Sequence, residues 1–96
     1  MTEQELIDDG IATAAFLSSE TGQRIKEDTG KLIYNEWRIA KTSAERELAW
    51  AKSEAFNTLF AVMENTAVKG QNAEAIRTRR TKVAEQHEAV YGKRKV

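Results

Sequence analysis

His87 is the chain's single histidine, set in "AEQHEAV" beside Glu88 and two residues after Glu85. Zinc sites draw three or four ligands from His, Cys, Asp and Glu at characteristic separations, and this grouping matches none of the strong patterns. The chain has no cysteine, which removes thiolate nucleophiles, disulfides and Cys-based zinc sites together. No Ser-His-Asp arrangement, phosphate-binding loop or dinucleotide fingerprint is present. "ETGQRIKEDTG" holds Gly22 and Gly30, but at that separation in a helical context they form no phosphate cradle. Carboxylates are plentiful, yet none is paired with an apolar pocket visible in sequence that would tune it for acid–base work. The expectation is a non-enzymatic protein with no catalytic residue, no metal and no cofactor.

What remains is the chemistry of contact. The ending "AIRTRRTKVAEQHEAVYGKRKV" closes a charge gradient: residues 1–30 hold seven acids and two bases, residues 71–96 three acids and seven bases, and the total is neutral. On a helix turning about 100° per residue, Ile76, Val83 and Val90 form a stripe at seven-residue spacing, with His87 at the same angle. Arg79 and Arg80 flank that stripe, Arg77 and Lys82 lie further round, and Glu74, Glu85 and Glu88 take the face away from it. A helix that binds phosphates should present a continuous basic face. This one instead suits docking on an acidic protein surface, in the same molecule, a second copy or a larger partner. The alternative is a nucleic-acid accessory role for Arg77, Arg79, Arg80 and Lys82 with the tail residues Lys93, Arg94 and Lys95, weak and steeply salt-dependent.

Those residues need helices to position them. Proline is absent, helix formers dominate, and 41% hydrophobic with 31% charged residues suits a folded helical chain. Thr2 with Glu5 has the capping-box spacing, so a first helix starts there. Gly10 weakens that segment and "SSETG" interrupts it, with Ser19 as N-cap of a second helix reaching about Lys41. Thr42 with Glu45 is a second capping box inside a tight connection. A third helix then runs to Lys69 with Gly70 as its C-cap, and Asn72 opens a fourth that ends at Tyr91.

Two features of the middle helices are candidate sites. Glu36 falls among Ile25, Leu32, Ile33, Trp37, Ile39 and Ala40. Lys52 falls among Leu48, Ala55, Phe56, Leu59, Phe60, Val62 and Met63. A hairpin folded at Thr42–Ser43 brings the two charges within about one turn. They either form an inward ion pair that fixes register or extend past the seam into water. Trp50, Ala61 and Val68 lie on the back of the third helix, either as core against a flanking helix or as a contact strip.

The runs "AAFLSSETGQRI", "NEWRIAKTSAERELAW" and "LFAVMENTAVKGQNAEA" together resemble a loose class of short helical proteins of tailed bacteriophages and prophages, encoded among head, portal and packaging genes. The likeness spans residues 11 to about 75. It rests on Phe16 and Leu17, a helix ending near Glu36 and Trp37, the Thr-containing break, the Arg46–Glu47 pair and a long helix closing near Gly70. It departs at Gly22, Gly30 and the basic ending. The class supplies no ligand or catalytic residues; it implies a viral setting and a small protein acting by contact.

The expected object is therefore all-α, a single domain over residues 1–92 with a short basic tail over 93–96. Its centre is an antiparallel hairpin of the second and third helices, flanked by a short N-terminal helix and a C-terminal helix, and oligomeric. No apolar run approaches the roughly 20 residues of a membrane span, and the acidic start lacks a signal-peptide n-region. That reading places it in the cytoplasm, a bacterial host's if it is viral, or within a virion.

Overall fold

A computed structural model describes residues 1–91, with side chains through Ala89. The described chain is helical apart from its caps and one short turn: α1 spans Glu3–Ser18, α2 Glu20–Ile39 and α3 Ser43–Tyr91.

Local chemistry sets each break. Thr2 accepts a hydrogen bond from the Glu5 amide at 3.1 Å and starts α1. Ser19 does two jobs: its amide donates to the Phe16 carbonyl, closing α1, while its hydroxyl accepts from the Gly22 amide at 2.9 Å, opening α2. The corner is so tight that a Cβ on Gly22 would sit 1.9 Å from the Phe16 carbonyl oxygen, so only glycine fits. At the hairpin turn Thr42 accepts from the Glu45 amide at 3.1 Å, and the Glu45 carboxylate accepts from the Lys41 amide at 2.8 Å. The first bond is the N-cap half of a capping box; the second reaches the amide one residue before the cap and ties the turn to the helix start.

The expected fourth helix is not separate. α3 runs unbroken from Ser43 to Tyr91, and Gly70 is not a C-cap, since no glycine among the described residues has the positive φ that such a cap uses. Its role is close approach. A Cβ on Gly70 would come within 2.6 Å of the Gly10 Cα, and one on Gly10 within 2.5 Å of the Gly70 Cα. Two helix backbones touch where these glycines meet. The residue that weakens α1 and the residue expected to end the third helix are the two halves of one crossing.

α1 and α2 both pack along α3 and run antiparallel to it. Glu3 is level with Arg80, Gly10 with Gly70, Lys26 with Glu64 and Glu36 with Lys52. The seam on α3 reads Ala49, Ser53, Phe56, Phe60, Met63, Ala67, Gly70, all buried or half-buried. Steps alternating between four and three residues are the spacing of a left-handed coiled coil. On α2 the matching series is Gly22, Lys26, Thr29, Ile33, Glu36 and Ala40, of which only Lys26 is exposed. Phe56 and Phe60 stack tilted at 4.9 Å, and the Lys26 ammonium sits 5.2 Å over the Phe60 ring.

The result is a rod of 83 × 24 × 16 Å with a radius of gyration of 22.2 Å, where a compact chain of this length would have about 12–13 Å. It is two helices thick. Its accessible surface is 7703 Å², against roughly 5,500 Å² for a compact monomer of this mass. The buried hydrophobic side chains are Ile7, Ala49, Phe60 and Ala67, and no others among the described residues. The cover by flanking helices expected from sequence is therefore not seen; α1 pairs with the later part of α3 further along the rod.

Candidate interaction surfaces

The basic half of α3 is held against the acidic helix. Arg80 donates to Glu3 and Arg77 donates to Gln4, both across α1–α3. These are two of the arginines singled out in sequence, and their bonds lie within the molecule. Arg79 and Lys82 are exposed. Ile76 and Val83 are exposed too, at 51% and 59%. A shallow groove there is lined by Arg79, Arg80, Val83, Ala84 and His87. The side chain of Val90 and residues Lys93, Arg94 and Lys95 lie outside the described residues.

Nearer the hairpin turn the rod has two distinct faces, one on each side of the seam. The first is aromatic. Tyr34 and Trp37 of α2 stand across a cleft of about 530 Å³ from Trp50 and Asn57 of α3, with Gly30, Ile33, Ala49 and Phe56 forming its floor. Gly30 leaves the floor open, since nothing lies within 4 Å of where its Cβ would be. Trp50, Ala61 and Val68 share this side of α3, and all three are exposed rather than covered by another helix. Sequence placed Trp37 on the apolar side of the second helix, but the cleft it shares with Gly30 and Trp50 gave no signal, because its walls come from both arms of the hairpin.

The second face is aliphatic. Ile25, Leu32 and Ile39 recur every seven residues on α2, and Leu48, Ala55 and Val62 every seven on α3, with Leu59 beside them. Ile39 and Leu48 line a common groove with Glu36 and Lys52 at the closed end. Level pairing places Leu32 beside Ala55 and Ile25 beside Val62. Every one of these side chains is exposed.

In this aliphatic face the Lys52 ammonium donates to Glu36 Oε2 at 2.8 Å, the side chains 46% and 37% exposed. The pair bridges α2 and α3 at the surface edge of the seam. At that exposure it contributes on the order of 0–1 kcal/mol in an isolated hairpin. A second pair, Lys31 with Glu27 at 2.9 Å, lies one turn apart along α2. The hydrogen bond and charge of Lys31 hold the Glu27 carboxyl below its ordinary 4.5, and Glu27 in turn raises Lys31 above 10.5. Both are fully in solvent and belong to the outer surface of α2.

Among the described residues no three His, Cys, Asp or Glu side chains converge as a metal site would require, and no helix is long and apolar enough to cross a membrane. The chain matches no family model, no curated protein and no solved structure. Its surfaces therefore have to be read on their own chemistry.

Proposed function

We propose that the chain is a non-enzymatic interaction module, a helical hairpin that works by laying its exposed helix faces against other protein. One observation carries this reading. Among the described residues four hydrophobic side chains are buried, while fifteen large ones are exposed, among them Trp37, Trp50, Leu32, Leu48 and Leu59. Scattered exposed apolar residues are ordinary on any protein, but continuous patches of this extent mark contact surfaces. The aromatic cleft and its extension through Ala61 and Val68 have the composition of an interface hot spot, with two tryptophans at the centre and polar residues at the rim.

The helical pattern shared with short phage head-region proteins supports a setting in virion assembly, or in a host-directed accessory role by the same contacts. A larger acidic protein or a second copy of the chain suits the exposed Arg79 and Lys82. The nucleic-acid alternative is weakened by the bonds of Arg77 and Arg80 to α1, which occupy two of its cations.

The test is light scattering coupled to size exclusion, at low and moderate salt, with and without a generic DNA duplex. The expected result is a particle whose mass ignores DNA at both salts. A monomer that shifts with DNA at low salt only would overturn the reading in favour of phosphate contacts, whose affinity falls steeply with salt.

A further inference from the structure

We propose that the aliphatic face is the contact surface for a second copy of this chain, the two hairpins stacking with their rods antiparallel to make a four-helix core. The inference rests on the interaction-module reading and specifies one partner and one geometry for it.

The pattern of the two seams is the first argument. Each helix already spends one heptad series on the intramolecular seam, yet each carries a second seven-residue series beside it: Ile25, Leu32, Ile39 on α2 and Leu48, Ala55, Val62 on α3. A two-stranded coiled coil needs only the narrow first series. The wider stripe is what helices show when they face a core of more than two helices. Moreover, large hydrophobes are found outside the seam as well as at its Phe56, Phe60 and Met63. The inner seam of α3 includes Ala49, Ser53, Ala67 and Gly70, whereas Leu48, Leu59 and Val62 are each more than half exposed.

Area is the second argument. The surplus surface of the rod over a compact monomer is roughly 2,000 Å². A stable pair needs about 800 Å² from each partner. Twenty residues of overlap extend about 30 Å, which across a rod 24 Å wide gives a patch in that range. This one face is large enough, and the supply of uncovered surface exceeds the need.

Charge decides both the partner and the direction. Residues 20–69 hold eight acids and eight bases, so this half of the rod meets its own copy without net repulsion. The other end is different: residues 1–19 hold Glu3, Glu5, Asp8 and Asp9 and no base. Rods stacked in parallel would bring those acidic helices side by side. Antiparallel stacking sends them to opposite ends, with the two-fold axis passing at the level of Leu32 and Ala55, the centres of the two stripes. Glu36 and Lys52 then come under the partner, each already neutralised by the other, which is the arrangement a buried charge requires.

The absence of cysteine allows a direct test on the full chain. Leu32→Cys and Ala55→Cys should each form a covalent homodimer under mild oxidation, since each lies on the axis and meets its own copy. Arg38→Cys, away from the face, should not. Cross-linking only in a mixture of the Leu32→Cys and Ala55→Cys chains would overturn the antiparallel geometry, because parallel rods set residue 32 over residue 55. Independently, sedimentation should give a dimer whose dissociation constant rises at least tenfold in Leu32→Gln/Leu59→Gln, with helicity by circular dichroism retained in the separated chains, and stays unchanged in Trp50→Ala. A dimer that resists the first variant or is lost in the second would overturn the choice of face. A wild-type chain that stays monomeric and ignores DNA would overturn the pairing while leaving the interaction reading in place; a DNA-dependent shift would overturn the reading itself.

Discussion

At the scale of single residues, three glycines of identical appearance in the sequence fill two different roles, and only their surroundings tell them apart. Gly10 and Gly70 face backbone across the crossing, so an added methyl has no flexible neighbour to displace and the helices must separate. We expect Gly10→Ala and Gly70→Ala each to lower the unfolding midpoint in urea, because overpacking of about 1–3 kcal/mol exceeds the helix-propensity gain of about 1 kcal/mol. Gly30→Ala meets open space and should raise the midpoint, with a gain in stability of up to about 1 kcal/mol. Equal effects at all three positions would show that the crossing is loose. None of this was legible in the chain alone: a glycine near the end of a periodic run reads as a cap, and its partner lies sixty residues away. Glu36 and Lys52 were easier to bring together, because the turn between them is short and its register follows from counting.

The elements themselves were largely readable, and for a physical reason. Thr2, Ser19 and Thr42 act within their own turn of chain, so their capping role needs no knowledge of the fold. Ser19→Ala should cost about 1 kcal/mol, with hydrogen exchange at the Gly22 amide accelerating before that of amides in mid-α2. Unchanged exchange at Gly22 would mean the corner is held by packing alone. The helix packing was harder to read, since the side chains of highest hydropathy, Leu48, Leu59 and Val62, draw attention away from the modest series Ala49, Ser53, Phe56, Phe60, Met63, Ala67 and Gly70 that forms the seam. Periodicity found one wide apolar face on the third helix. It could not say that the inner part of that face meets α2 and the outer part meets nothing within the chain.

On the scale of the whole molecule, the fold is an arm rather than a globule. Most of its contacts are with one partner helix, and its stability depends on two long surfaces meeting in one register. The crossing at Gly10 and Gly70, the small residues at Ala49 and Ala67, and the ion pair at Glu36 and Lys52 each favour one alignment over its neighbours. In place of the four helices expected there are three, with α1 and α2 both packed along α3 and both broad faces of the α2–α3 pair left exposed.

The side-by-side position of Glu3 and Arg80 has a mechanical consequence. The start of α1 and the late turns of α3 share one end of the rod, while the turn at Thr42 is the other. Tension applied between residues 1 and 91 therefore acts as a zipper opened from its free end, breaking the α1–α3 bonds one turn at a time rather than shearing the whole seam at once. Force spectroscopy should record a low, nearly flat plateau with a pause at the glycine crossing, and a single abrupt high-force rupture would contradict it. The aromatic and aliphatic faces, which flank the turn, would be the last to feel the pull.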